Sequence, residues 1–584
     1  MKLKEFKKNL KTEYQNTFPK KKDPKREFHF QLRYAFLAVF GIIFAALLIQ
    51  HFWVYSYNEG VDRHNEAIAN RVVNLDQCIE FSTINTRKDY DAAVRNYKDM
   101  HTYQTKKKSI LTSIFTYQPK SCSDATPDLD APTFAQQPGN SGTMVDENSF
   151  QTNIQVEGID EADIAKCDGS YIYYFHSRNL YVYDIESQKN ITSVMDNGIE
   201  LFIYNHMIIS IGNHETKVYE FNQDRLVVKK NISYERYLTS RLIENRLYLA
   251  FGSYVKEEII QFEDCYYDTC SNPNYLYSAY YLDLDLMEDK EAQLLTSNST
   301  VLYASNQAFY FASMNRAYTT ISIFSHDLEP RGVINVNGTV LNQFSMDEYE
   351  GYFRVVTTDT TKNAEELNAI SIFDLSELKK VGYLNQGIGK ERQIVKSVRF
   401  DKNTCYVVTY ENTDPLYEID CSTPEKPVIV SAYEAPGYSN YLHTFVINDK
   451  EYVLGLGYTD SRHSTKISVY EKTEGTEQIG EDFILAFSDY YSKGGYYNES
   501  LILDMFQNHK ALFIYNAGNH LYLGAMVAFD AYLIFKIDVN AENVVTIYKE
   551  IELKSNKANS SRLFLIENKI YLTDRDKVLV ENFA

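Results

Sequence analysis

Two patterns of apolar positions divide this chain. From Tyr34 to Asn58 no Asp, Glu, Lys or Arg occurs, and the run YAFLAVFGIIFAALLI leads into Gln50, His51, Phe52 and Trp53. From about residue 150 onward, aromatic and aliphatic residues come instead in short strand-length segments separated by polar turns. The first pattern predicts one helix over residues 34–54. About 20 residues at ~1.5 Å each cover a hydrocarbon layer ~30 Å thick. A helix satisfies its own backbone hydrogen bonds in lipid. Tyr34 at one end and Trp53, Tyr55 and Tyr57 at the other suit the membrane–water interface.

The second pattern repeats. A strand ending in a polar turn, a second strand, and a third with a Tyr/Phe–x–hydrophobic ending recur. They run from SYIYYFHSRNLYVYDIE (170–186) to SRLFLIENKIYLTDRDKVLVENF (561–583). Nine such units fit into residues 150–584, about 48 residues each, close to the length of a propeller blade. A small sheet with two apolar faces cannot bury both alone, and stacking sheets around an axis buries them. The fold class expected is therefore all-β: a beta-propeller after one transmembrane helix and a short helical juxtamembrane region. Eight blades are favoured because such rings usually stop near eight; seven and nine remain open. TNIQVEG (152–158) is placed as an outer strand that joins the final sheet and locks the ring.

Between these parts, residues 55–117 are polar and partly helical. Tyr90, Val94 and Tyr97 fall at i, i+4, i+7, one face of a helix. Residues 118–149 are rich in Pro, Ser, Asp and Gly and read as a linker. Residues 1–33 form a basic head with eleven Lys and Arg against four acids. Basic flanks stay cytoplasmic, so the C-terminal body is expected outside the cell. The run is too long for a cleaved signal peptide and no A-x-A-like site follows it. The remainder carries 48 basic and 75 acidic residues, which argues against nucleic acid as a partner. The lipid bilayer is the partner expected for the head and helix.

The 49 Tyr and 33 Phe favour strands. Seven cysteines leave at least one unpaired. Cys265 and Cys270, in the insert FEDCYYDTCSN, are the candidate disulfide, because a short loop can bring their Cβ atoms together. Spacing alone does not fix the pairing.

Four segments carry a resemblance: VEGIDEADIAKCDGSYIY (156–173), LNQFSMDEYEGYFRVVTT (341–358), VKSVRFDKNTCYVVTYENTDPLYEID (395–420) and APGYSNYLH (435–443). In this order they resemble the bacterial and archaeal secreted beta-propeller-domain family, distantly similar to WD-repeat propellers, over about residues 150–584. The resemblance implies an exported, often surface-attached propeller and no particular reaction. Cys167 departs from the pattern, at a place where a small polar residue is expected.

Asp160, Glu161, Asp163 and Asp168 are the candidate metal ligands, and Ca²⁺ is the cation that clustered hard oxygens would take. Their spacing is not that of an EF-hand loop, and the competing reading is a turn opened by Asp168-Gly169. Asn342, Asp347, Glu348, Tyr438 and His443 are the candidate binding residues. Asp347 and Glu348 are adjacent carboxylates of the kind glycoside hydrolysis needs in pairs; the competing reading is a solvated loop paired with Arg354 or Arg399. Ser439 and His443 lack a G-x-S-x-G elbow, so structural hydrogen bonding is the favoured reading there. No catalytic residue and no cofactor are assigned. The function expected is a cell-surface binding or scaffolding module for a protein or glycan, with the Tyr-rich loops 264–281 and 488–500 making contact. The alternative is a surface hydrolase or lyase acting on glycan or peptide.

Overall fold

The computed structural model describes Leu37, Ala38, residues 80–100 and most of residues 152–583. The expected membrane helix, apart from Leu37 and Ala38, and the Tyr-rich segment 488–500 lie outside the described residues. Among the described residues, no helix is long and apolar enough to cross a membrane.

The body is built from short strands, ten residues at most, whose two faces are largely apolar. Sheet 1 begins with Ala165–Cys167, Tyr171–His176 and Asn179–Asp184 and ends on the exposed strand Lys189–Met195. Its neighbouring tyrosines show the logic. Tyr173 packs with Leu201, Ile208 and Tyr219 of the next sheet. Tyr174 points the other way, to Phe564, Ile566 and Tyr571 of the last one. Successive side chains on a strand face opposite sides, so a continuous apolar run buries both faces at once.

Nine sheets form in this way among the described residues, matching the nine repeats in the sequence rather than the eight blades favoured. They begin at Ala165, Gly198, Tyr237, Thr300, Met346, Ile394, Tyr438, Phe513 and Leu563. Each packs on its successor through a cluster of buried apolar side chains. The ninth, Leu563–Ile566, Lys569–Asp574 and Lys577–Asn582, packs back on the first. The sheets thus close a ring. The first strands of sheets 1 and 2, of 6 and 7, and of 7 and 8 lie beside one another, and fourth strands such as Arg225–Ser233 are largely exposed.

Local geometry repeats too. Strand three of sheets 1, 4, 5, 6 and 8 pairs with strand four through a register shift at the same place, as between Ile323 and Phe324. Such bulges sharpen the twist. Ser177-Arg178, Asn448-Asp449 and Glu567-Asn568 all have positive φ. They close two-residue hairpins between His176 and Asn179, Ile447 and Lys450, and Ile566 and Lys569, the geometry that matches strand twist. In the APGYSNYLH motif, Gly437 has φ 80°, and a Cβ on it would lie 2.0 Å from the Tyr458 carbonyl oxygen. Only glycine fits there.

Sheet 3 carries extra strands. Cys265–Tyr267 runs parallel to Asp289–Thr296, and Ser82–Thr83 pairs with its free edge. The helix α1, Arg87–Met100, follows. Thr86 and Asp89 exchange hydrogen bonds at its start. Ala93, Tyr90 and Ile84 pack with Cys265, Tyr267 and Leu295, and Tyr97 is buried. The helix face seen in the sequence is thus a docking face. The Tyr-rich insert is an internal element rather than a contact loop: Tyr267, Tyr275 and Tyr277 are buried.

The expected disulfide is corrected here. Cys265 is a free, buried thiol, inside strand pairing with Gln293. Cys270 is disulfide-bonded, but not to Cys265. Strand pairing, which spacing could not reveal, separates the two. Beside Cys270, Asp268 is fully buried and accepts hydrogen bonds from the Ser271 backbone N–H and the Thr296 hydroxyl. Burial raises its pKa to about 6 in spite of those bonds.

Two outcomes follow. Cys167, Cys265, Cys405 and Cys421 will alkylate only after unfolding, whereas Cys270 will alkylate only after reduction, as read by mass spectrometry of peptides. Asp268 binds its proton more tightly folded than unfolded, so its stabilising contribution is complete below about pH 4 and is lost as pH rises through 6. Chemical denaturation at pH 7–8 should therefore find Asp268→Asn more stable than wild type, with the difference vanishing near pH 4. A constant difference across that range would contradict the assignment.

Candidate functional site

The chain from Asn153 to Asp163 does not form the outer strand expected of residues 152–158. It crosses the inner ends of the sheets, and the ninth sheet has three strands among the described residues. Asn153 Nδ2 donates to the Tyr441 hydroxyl of sheet 7 and to the His509 carbonyl, each at 3.3 Å. Gln155 Nε2 reaches the Gln343 and Met346 carbonyls at the start of sheet 5. Val156 packs into the junctions around sheet 4. Ile159–Asp160 pairs with the first strand of sheet 3, and Asp163 bridges to Leu201 in the first strand of sheet 2.

This segment brings acids into a buried centre, and cations from distant sheets meet them. Glu161, 2% exposed, faces Arg241 Nη2 at 3.8 Å and His509 Nε2 at 3.2 Å, and accepts from Gln343 Nε2 at 3.2 Å. Burial pushes its carboxyl up, but Arg241, His509 and Lys510 together hold it far below the usual carboxylate range. Arg241 also donates to Gln343 Oε1 at 2.9 Å and to the Ser240 carbonyl at 2.7 Å. Arg562 grips Asp163 with Nε and Nη2, at 2.8 and 2.7 Å. Lys510 donates to the Ala162 carbonyl at 2.7 Å and pairs with Glu200.

The four acids proposed as metal ligands are therefore dispersed among separate partners. Asp160 pairs with Lys166 at 2.5 Å. Glu161 and Asp163 take the cations just named. Asp168 holds its own turn, accepting from the Ser170 and Tyr171 backbones and the Tyr173 hydroxyl. Among the described residues, no three His, Cys, Asp or Glu side chains converge to hold a metal. Cys167 acts as a small core residue: its sulfur accepts from Gly169, and burial pushes the thiol up to about 12.

The candidate binding residues are also separated. Asn342 caps the 3₁₀ turn Gln343–Ser345. Asp347 is clamped by Arg354, whose guanidinium also lies over Phe400. Glu348 points elsewhere, accepting from the Ser305 and Tyr310 hydroxyls. Tyr438 is buried between the rings of Tyr410 and Tyr458. His443 is 1% exposed, and burial together with the Arg399 charge lowers it to about 3, so its ring is neutral. Sequence reasoning missed Arg241, Gln343, Lys510 and Arg562. Their only signal is position: each lies on or just before the first strand of a repeat.

With this geometry in place, a family model gives the class. The family described as Beta propeller domain matches residues 150–251 and 225–584. The chain belongs to that family. A relative from Archaeoglobus fulgidus, titled an uncharacterized protein, is 34% identical over 206 residues, covering 35% of this chain and 30% of its own length. One from Methanocaldococcus jannaschii, also titled uncharacterized, is 32% identical over 245 residues, covering 40% and 34%. The chain spans about a third of the length of these curated relatives. Among solved structures, apo AztD from Citrobacter koseri shares 11% identity at a TM-score of 0.33, covering 71% of this chain and 91% of that one. Hsv2 from Kluyveromyces lactis shares 13% at 0.31, covering 60% and 95%. Scores this low carry no weight for function.

Breaking a buried pair leaves the other charge stranded. Arg562→Met should cost about 3–5 kcal/mol, and adding Asp163→Leu should recover much of it. Denaturant unfolding of the single and double variants checks this; equal losses in both would contradict the pairing.

Proposed function

We propose that this protein is a single-pass membrane protein, N-terminus cytoplasmic, whose extracellular propeller is a binding or scaffolding module for a cell-surface protein or glycan. The observation that supports this reading is the charge pairing at the centre. The segment 153–163 crosses the inner ends of the sheets, and the carboxylates gathered there, Glu161, Asp163 and Glu200, face Arg241, Arg562 and Lys510. A hydrolase or lyase working through paired carboxylates needs two that converge with room for substrate or water. Asp347 is held by Arg354, and Glu348 stands apart on hydroxyl donors. Recognition is left to the rims and outer strands, where Val227, Val228, Val428 and Val430 are exposed. A rigid ring presenting many loops and edges suits that task.

Protease added to intact cells should digest residues 150–584 and spare the basic head; protection of the body would refute the topology. Cross-linking on intact cells, with a glycan array probed by the detergent-solubilised full chain, should yield a saturable partner without turnover. Cleavage of an arrayed glycan or a peptide, lost in Glu348→Gln, would overturn the binding reading in favour of the enzyme.

A further inference from the structure

Sheet 9 ends on Lys577–Asn582, its third strand among the described residues. The third strands of sheets 4, 5 and 7 are buried along nearly their whole length. In sheet 9 the apolar residues of that strand, Val578, Leu579 and Val580, are only half-buried. Val578 and Val580 pack toward sheet 1, and Leu579 toward sheet 8. Sheets 8 and 1 each extend one strand further, to Val545–Lys554 and Lys189–Met195. Where two neighbouring sheets both have that outer strand, as sheets 1 and 2 do, the outer strands lie beside one another. The edge of sheet 9 is therefore the floor of a slot one strand wide. Tyr548, opposite Lys536, stands on the face of sheet 8 that meets sheet 9. Met195, opposite Asn179 and 81% exposed, stands on the corresponding face of sheet 1. Asn190 Nδ2 donates to the Asp576 carbonyl at 2.7 Å and ties one end of the slot.

The backbone on this edge has a fixed phase. Asp574 and Lys577 pair across a two-residue turn, and the Phe583 N–H donates to the Asn568 carbonyl at 2.8 Å. Lys577, Leu579, Glu581 and Phe583 thus direct their backbone groups at the second strand, and Val578, Val580 and Asn582 direct theirs outward. A strand arriving antiparallel, as the fourth strands of sheets 1, 2 and 4 do, would bond to those three residues. Its side chains opposite Lys577, Leu579 and Glu581 would stand in non-hydrogen-bonded pairs, where side chains approach most closely. Lys577 and Glu581 are exposed and bracket the apolar triplet. Charge complementarity then has one order along the incoming strand: a base opposite Glu581, three apolar residues, and an acid opposite Lys577.

We propose that the slot between sheets 8 and 1 receives a single extended segment of a partner protein as the fourth strand of sheet 9, a segment that reads base, three apolar residues, acid. Strand addition of this kind draws affinity from backbone hydrogen bonds and specificity from alternate side chains. A second copy of the whole chain is too wide for the slot, because its own outer strands would meet those of sheets 8 and 1. The proposal rests on the binding reading above and gives that partner a chemistry.

The probe is a fluorescent peptide carrying Lys-Val-Leu-Val-Glu between Gly-Ser ends, the order found at 577–581 and its own complement when antiparallel. Anisotropy with the full chain in detergent should show saturable binding. N-methylation of both Val amides, which face the sheet, should abolish it, and N-methylation of the Leu amide should not. Exchanging the charges, Lys577→Glu with Glu581→Lys, should weaken binding about tenfold and favour Glu-Val-Leu-Val-Lys instead. Absence of saturable binding, or binding indifferent to Val N-methylation or to the exchange, would overturn the proposal. So would a dimer of the free chain that the peptide dissociates, which assigns the edge to a second copy. Slow hydrogen exchange of the Val578, Val580 and Asn582 amides in the free chain would do the same, since the edge would already be paired. Capture of a cell-surface partner by a chain that ignores the peptide sinks this proposal alone and leaves the binding reading standing.

Discussion

The structure depends on one constraint: a small twisted sheet with two apolar faces is stable only between two others. Buried aromatics on neighbouring positions of a strand serve the two junctions its sheet makes. Phe309 packs toward sheet 3 and Tyr310 toward sheet 5. The constraint leaves no free face only if the last sheet meets the first, as Phe564, Ile566 and Tyr571 do with Tyr174. Ring closure creates the central problem in turn, because charged residues on or just before several first strands, Arg241, Lys510 and Arg562 among them, are buried.

The chain solves that problem with itself. Residues 153–163 run across the inner ends and supply Glu161 and Asp163, sheet 2 adds Glu200, and Arg241, Lys510 and Arg562 arrive from sheets 3, 8 and 9. Buried ion pairs are weak sources of net stability, but losing one partner is costly. The pairs therefore act less as glue than as a condition on assembly: a sheet out of place leaves a charge unmatched. This arrangement also bears on function. Carboxylates held by cations are poor general acids and bases, which is the physical ground on which the binding reading is proposed.

Much of the fold was legible in the sequence. The apolar strand-length segments separated by polar turns and the i, i+4, i+7 face of helix α1 are local signals, and each appears where it was read. Nine repeats were countable; the preference for eight came from the habits of other rings. The candidate site was read less well. The acids of residues 160–168 looked like a cation site because their partners are out of sight: Arg241 lies some 80 residues on, and Arg562 some 400. The Cys265–Cys270 pairing failed for a related reason, since a strand that pairs with Gln293 fixes Cys265 without reference to its neighbour in sequence. Tyrosines in the insert looked like contact residues, and composition cannot tell a tyrosine that faces a partner from one that faces a strand.

The most direct measurement of the central claim is hydrogen exchange along residues 153–163 in the native chain. If this segment fills the ring, its amides exchange as slowly as those of the sheet 7 strand Lys450–Tyr458 and are released in the same cooperative step. Exchange within seconds, while that strand stays protected, would mean an open centre and would contradict the account.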